Sequence, residues 1–327
     1  MGPAPAVGPQ LAVGPQLPIF DPAGTGLMNP AEVAREAEEL GFDIAFVGDH
    51  LAFNPPWLEC IACLAAASAS TTRLILGTSV VLAAMREPAW LAKQIATLQF
   101  LSRGRLLLGV GVGGENPAEW EAVGVPMRER GRRTDAFLEA LPRLLEGRPA
   151  RVGAPVDLPI PELRPAAEPP QLWIGGRSDA ALRRAVRFAD GWLGAFVDAD
   201  GVALHRERLG ELAREAGHTE APRIGLSVFI NVCDDIVRGR EEASGYFEGL
   251  YRLPLERVER YCLIGPAEHV VEGLARYVEA GVSLFTLVAV APRPFAQYEA
   301  LAAVRAALLG AVGAVPLELG QPLGCWE

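Results

Sequence analysis

The amino-acid sequence predicts an α/β fold, a (β/α)8 TIM barrel with insertions, on three observations. Strand-like apolar runs alternate with helix-like segments from one end of the chain to the other, the pattern of a parallel sheet with crossover helices. Eight such units fit in about 310 residues, where a minimal barrel takes about 250. Proline stands at helix starts and glycine just beyond helix ends. A doubly wound sheet is the alternative.

Taken in order, the first strand is expected over residues 11–20, an apolar run closed by Asp21-Pro22. A helix over 30–40 opens at Pro30, where a missing N–H costs nothing, and stops at Gly41, where a left-handed residue suits the cap. Strand two, 44–47, is Ile-Ala-Phe-Val. Pro56 opens an alanine-rich helix over 56–70, and strand three covers 74–81. Pro88 opens the helix over 88–101, ahead of strand four at 106–112. A helix over 132–146 ends at Gly147. Strand five, 171–174, leads to Ser178, an N-cap for a helix over 179–189. Strand six is 191–196, and the next helix, 199–216, stops at Gly217. Strand seven is 223–232, followed by a broken region over 236–259 and a helix over 267–280 that stops at Gly281. Strand eight, 283–290, and a helix over 295–309 finish the series. The longest insertions are 114–131, the proline-rich 148–170 and part of 236–259; long loops in a compact domain tend to be lids or walls of sites. One domain is expected over 1–327, with its core at about 11–310 and 311–327 as a C-terminal tail.

Half of the 327 residues are apolar and 21% are charged, ample for a large core. No apolar run approaches the roughly 20 residues that cross a bilayer. The first twenty residues carry no charge, where a secretory signal begins with a basic segment. A cytoplasmic protein with no membrane partner is therefore expected. The formal charge of −10, with no Lys/Arg cluster free of Asp or Glu, argues against a nucleic-acid partner, because phosphate backbones select basic surfaces. Lys93 is the only lysine, so cationic recognition falls to arginine.

Five cysteines make no disulfide framework. Cys60 and Cys63 form a CxxC within an alanine-rich helical segment, with no second pair or nearby His; packed thiols are expected and no metal. Ala-Val-Gly-Pro-Gln-Leu occurs twice in tandem, at 6–11 and 12–17, which reads as a local duplication at a frayed terminus.

Gly109-Val-Gly-Val-Gly-Gly114 matches the GxGxxG dinucleotide fingerprint in form. That fingerprint should open directly into a helix, but Glu115-Asn-Pro117 follows and the next helix is expected near Arg132. The other reading is that Gly109, Gly111 and Gly113 let a strand and its loop approach a flat ring closely.

Pro88-Ala-Trp-Leu-Ala-Lys-Gln-Ile-Ala-Thr-Leu98, Leu101-Ser-Arg-Gly-Arg-Leu-Leu-Leu-Gly-Val-Gly111, Glu119, Gly124 and Arg130-Gly-Arg132 together resemble the luciferase-like monooxygenase superfamily, most of all its members that use coenzyme F420. Phe46-Val-Gly-Asp-His-Leu51, Leu172-Trp-Ile-Gly-Gly-Arg-Ser178 and Ala189-Asp-Gly-Trp192 add to the resemblance, which runs from about Ala31 to Gly194 and more weakly beyond. It implies a barrel with the cofactor ring at the C-terminal ends of the strands, where barrel active sites lie. Relatives commonly form homodimers.

The resemblance also implies roles. In the family, the third strand ends in a bulge with a non-prolyl cis peptide that supports the deazaflavin; Ser79-Val80, preceded by Thr78, is the matching dipeptide. Many FMN users carry an arginine in the glycine run, and Val112 stands there between Gly111 and Gly113, which favours coenzyme F420 with FMN as the alternative. The Gly175-Gly176-Arg177-Ser178 turn offers N–H groups, a cation and a hydroxyl to the cofactor phosphate; a plain helix cap is the other reading. His50, with Asp49 before it, stands where the family often has a histidine at the ring, and imidazole suits proton transfer; a structural histidine is the alternative. Glu115 is a second candidate acid, although Gly114 takes the matching position if the register is one earlier. Arg86 either holds the cofactor or an anionic substrate, or faces solvent. The sugar-phosphate oxidising branch uses lysines that this chain lacks. The expected activity is that of an F420-dependent oxidoreductase passing a hydride between the deazaflavin C5 and a small-molecule or modified-peptide substrate, reducing an activated C=C or C=N. A reduced-FMN monooxygenase and a cofactor-free structural relative are the alternatives.

Overall fold

The computed structural model describes residues 10–114 and 116–316. Eight strands form the barrel: β1 (Gln10–Pro15), β2 (Ile44–Val47), β3 (Ile75–Thr78), β4 (Leu106–Gly111), β5 (Gln171–Gly175), β6 (Gly191–Ala195), β7 (Arg223–Val232) and β8 (Val282–Ala289). Neighbours from β2 round to β8, and then β8 with β1, pair in parallel. The seam between β1 and β2 is held by a parallel bridge between Gln16 and Phe46, where the Leu17 N–H donates to the Phe46 carbonyl at 2.7 Å. That contact between the two end strands makes a barrel and excludes the open doubly wound sheet.

The helices are α1 (Pro30–Glu39), α2 (Cys60–Ser70), α3 (Pro88–Ser102), α4 (Pro117–Ala122), α5 (Arg130–Leu145), α6 (Asp179–Phe188), α7 (Ala199–Glu215), α8 (Ile236–Tyr251), α9 (Ala267–Glu279) and α10 (Tyr298–Val312). An inner plug of Ala12, Ile44, Phe46, Leu107, Trp173, Leu193 and Leu284 fills the barrel, and a larger apolar layer lies between strands and helices. Each fully buried aliphatic or aromatic side chain stabilises by about 1.5–3 kcal/mol. Buried Arg105 joins α2 to β4 at the closed end: it donates to the carbonyls of Thr71 at 3.1 Å and Ser68 at 3.2 Å. Burial pulls its pKa down, and carbonyls rather than a carboxylate satisfy it.

Several boundaries differ from expectation for local reasons. The strand expected over 74–81 breaks after Thr78 at a cis Ser79-Val80 peptide and resumes as Val81–Leu82 beside β4. The helix expected from Pro56 begins at Cys60, because Glu59 caps the Ala62 N–H at 2.7 Å while Trp57 bridges to Phe20. Helix α4 was not expected; Asn116 caps it through the Ala118 N–H. The region over 236–259 is a continuous helix to Tyr251, and breaks only at Arg252, where φ is 56°, into short 3-10 turns. The expected tail begins inside α10, and Val315–Pro316 pairs with Gln10–Leu11; 317–327 lie outside the described residues. The second hexapeptide copy is not a frayed end: Ala12, Val13 and Leu17 are wholly buried, whereas most of the first copy falls outside the described residues. One helical stretch among the described residues, Pro294–Val312, is long and apolar enough to cross a membrane by length and composition, contrary to expectation; Tyr298, Leu301, Val304 and Leu308 are buried in the barrel's outer layer.

Candidate active site

The C-terminal ends of the strands open into a cavity of about 570 Å³. Its first wall follows β2. Buried Asp49 accepts the Leu82 N–H at 2.8 Å and binds Arg86 through both oxygens, with Nη2 2.9 Å from Oδ1. Arg86 also reaches Glu59 at 2.7 Å. Burial opposes the guanidinium charge, but the Asp49 hydrogen bonds outweigh it and hold Arg86 firmly protonated. Arg86 is thus spent on tying the exits of β2 and β3 together and is absent from the cavity wall, which corrects its expected role. Asp49 lines the cavity with its charge already paired. Glu59 and Cys60 lie close to Asp49, with ligand atoms within 4.8 Å, but Arg86 is the cation at that cluster. The Cys60 thiol is pushed up by burial, and that of Cys63 to about 12 by burial and Glu59.

His50 lines the cavity beside Asp49. Its Nδ1 lies 3.1 Å from Glu119 Oε2 and 3.3 Å from Oε1. Glu119, only 1% exposed, also accepts the N–H groups of Leu51 at 2.6 Å and Ala52 at 3.0 Å, so its buried carboxylate is satisfied. Helix α4 brings it there, because Asn116 at the helix start donates to the Ala52 carbonyl at 2.6 Å. The imidazole stacks on Phe53 with centroids 3.9 Å apart and meets Trp57 edge-on at 4.7 Å. With Nδ1 occupied, Nε2 is the nitrogen left for the cavity. Glu119 entered the sequence reading only as a family marker; no local pattern ties it to a histidine 69 residues away.

The cis Ser79-Val80 segment forms the next stretch of wall, and Ser79 Oγ lies 3.2 Å from Ser227 Oγ across the cavity floor. The glycine run adjoins it. A Cβ on Gly109 would lie 2.1 Å from the Thr78 carbonyl oxygen, and one on Gly111 2.2 Å from a Val80 methyl. These two glycines therefore make room for the chain's own bulge. Gly111, Val112 and Gly113 do line the cavity. Thr78 does not: its buried hydroxyl donates to the Gly109 carbonyl at 2.7 Å and locks the strand seam. A short helix after Pro117, not a loop as far as Arg132, follows the run. Glu115 lies outside the described residues.

At the end of β5, Gly175, Gly176 and Arg177 line the cavity. Gly176, at φ 120°, presents its carbonyl to Trp192 Nε1 at 2.6 Å, and Arg177 donates to the Phe196 carbonyl at 3.0 Å. Ser178 caps α6 through the Ala181 N–H at 3.2 Å and stands outside the wall, so the helix-cap reading holds for that residue.

The sequence marks part of 236–259 as an insertion able to form a wall, but singles out none of its residues. Tyr251, Leu253, Arg257, Val258 and Tyr261 come from the end of α8 and the short turns beyond it, and they line the cavity. Trp57 also lines the cavity, and its buried Nε1 has no acceptor among the described residues. An apolar slot, hydroxyls, backbone N–H groups, an arginine and an unmet indole donor together suit a flat heteroaromatic ligand with an anionic arm.

Residues 16–252 match the model of the luciferase-like monooxygenase family. An uncharacterized protein of Mycobacterium tuberculosis, Rv0940c, is 38% identical over 209 residues, covering 57% of this chain and 72% of that protein. The F420-dependent glucose-6-phosphate dehydrogenase of Beutenbergia cavernae is 34% identical over 220 residues, 60% of each chain. The fold superposes on an F420-dependent secondary alcohol dehydrogenase solved with an F420-acetone adduct, with TM-score 0.79 and 19% identity over 91% of this chain and 99% of that one. It also matches the FMN-bound oxygenating constituent of 3,6-diketocamphane monooxygenase from Pseudomonas putida, with TM-score 0.71 and 19% identity over 89% and 96%. The class that fold and site define is therefore a luciferase-like barrel enzyme. The chain belongs to the luciferase-like monooxygenase family.

Proposed function

We propose that this chain is a coenzyme F420-dependent oxidoreductase acting on a small organic or modified-peptide substrate, reducing an activated C=C or C=N. The observation that carries the reading is His50 on the cavity wall with buried Glu119 behind its Nδ1. Bound F420 supplies the hydride at C5 of its deazaflavin; the substrate atom next to the one that takes the hydride then needs a proton. His50 in its doubly protonated form gives that proton from Nε2, while Glu119 accepts the Nδ1–H and balances the charge of the ring. Arg177 and the backbone N–H groups of the adjoining glycine turn would hold the cofactor phosphate. Val80 and the Ser79–Ser227 hydroxyls would support the ring. Val112 in the glycine run and the F420-dependent dehydrogenase relatives favour F420; the FMN-bound structural neighbour keeps a reduced-FMN monooxygenase as the second reading. The same proposal carries a cytoplasmic homodimer with neither nucleic-acid nor membrane partner; a monomer in light scattering would remove the dimer.

Titration of the purified protein with each cofactor, followed by tryptophan fluorescence, tests the reading. F420 is expected to bind at least about tenfold more tightly than FMN, a gap of about 1.4 kcal/mol. Tight FMN binding without F420 binding overturns it in favour of the monooxygenase. A folded protein that binds neither is a cofactor-free structural relative.

A further inference from the structure

The cavity carries more positive charge than the cofactor phosphate at Arg177 uses. Arg177 and Arg257 both line it, and Asp49, the one carboxylate on the wall among the described residues, is neutralised by Arg86. Arg257, itself exposed, ends the 3-10 turn Leu255–Arg257, where its backbone N–H donates to the Pro254 carbonyl at 3.2 Å. Among the described residues its guanidinium has no hydrogen bond or ion pair. A free guanidinium on a cavity wall is a fork for a carboxylate or phosphate.

The cavity that it lines also has an aromatic face. Phe196 lies 4.6 Å from Phe229, 5.6 Å from Tyr251 and 6.0 Å from Tyr261 by ring centroids. Tyr251, Tyr261, Phe196 and Phe229 all line the cavity. Flat apolar faces next to an unpaired cation select a flat apolar molecule with an anionic end.

We propose that Arg257 binds the anionic group, carboxylate or phosphate monoester, of a substrate whose flat apolar body lies against this aromatic wall. The inference rests on the cavity being the active site, with the cofactor phosphate at Arg177. Arg257 is then a residue that sets substrate specificity.

Calorimetric titration with trans-cinnamate, phenyl phosphate and cinnamyl alcohol tests it on the wild type, Arg257→Gln and Arg257→Lys, each with saturating F420 and each without cofactor. At least one anion is expected to bind the wild type about tenfold more tightly than the alcohol. Which anion it is separates carboxylate from phosphate recognition. Arg257→Gln removes the preference, Arg257→Lys keeps part of it, and F420 affinity stays unchanged in both. Circular dichroism of both variants establishes that they fold. Binding of neither anion, equal binding of the alcohol, or a preference that survives Arg257→Gln overturns the proposal. Loss of F420 affinity in Arg257→Gln also overturns it, by assigning the residue to the cofactor. If F420 does not bind the wild type at all, the proposed function fails, and the cofactor-free titrations still decide the role of Arg257.

Discussion

The two sides of the cavity mouth are built by different means. Around the ends of β2 to β5 the wall is rich in backbone and glycine, and its charged side chains are locked to partners behind it: Asp49 to Arg86, His50 to Glu119. From the end of α8 onward the wall is made of side chains, Tyr251 on the last turn of α8 and Arg257 and Tyr261 on the short turns that follow. A wall of closely packed backbone admits few substitutions, whereas one of projecting side chains can change its chemistry without changing the fold. The first suits a constant partner such as a cofactor, the second a substrate that differs from enzyme to enzyme.

The strongest attack on this contrast is Gly109→Ala. The added Cβ meets a backbone oxygen that cannot rotate away, at 2.1 Å, so β4 must part from the bulge. A loss of about 3 kcal/mol is expected in urea unfolding, together with weaker F420 binding. Unchanged stability would mean that the β3–β4 junction is as adaptable as the far wall.

Glu119→Gln comes next. The amide oxygen still accepts the Leu51 and Ala52 N–H groups, but its NH2 then faces His50 Nδ1, which must become the acceptor. The ring then keeps a proton on Nε2 alone and loses the carboxylate that balances its doubly protonated, proton-donating form. Turnover is expected to fall about 100-fold, near 2.7 kcal/mol in barrier, with the pH profile displaced and F420 affinity retained. A loss of F420 affinity with an unmoved pH profile would reduce Glu119 to a structural prop.

The same contrast explains what could be read before the structure. Pro30 and Pro88 do open α1 and α3, and Gly41, Gly147, Gly217 and Gly281 do adopt positive φ after helices, because these signals are local. His50, Val80, Gly111 and Arg177, singled out because they sit in family motifs at strand ends, do line the cavity. Pro56 misled because tertiary contacts of Trp57 with Phe20 hold the chain out of the helix until Cys60, four residues later. Arg86 looked available only because nothing local revealed Asp49 and Glu59 around it. Glu119 and Arg257 escaped for a shared reason: each matters through a partner or cavity far away in the chain, and neither period nor spacing reports such a contact.

The smallest expected effect tests the far wall from within α8. Gly245 and Gly249 share that helix, yet a Cβ on Gly249 would lie 2.6 Å from the Pro22 carbonyl oxygen while one on Gly245 meets nothing within 4 Å. Gly245→Ala should therefore gain helix propensity without a clash, stabilising by about 0.5–1 kcal/mol in urea unfolding, with F420 affinity untouched. Gly249→Ala, pressed against backbone, should lose stability instead. If both lose, α8 is fixed along its whole length and the far wall is as rigid as the glycine run. If Gly245→Ala gains as expected, α8 is fixed at its contact with Pro22 and free at Gly245, only six residues before the Tyr251 that carries the wall.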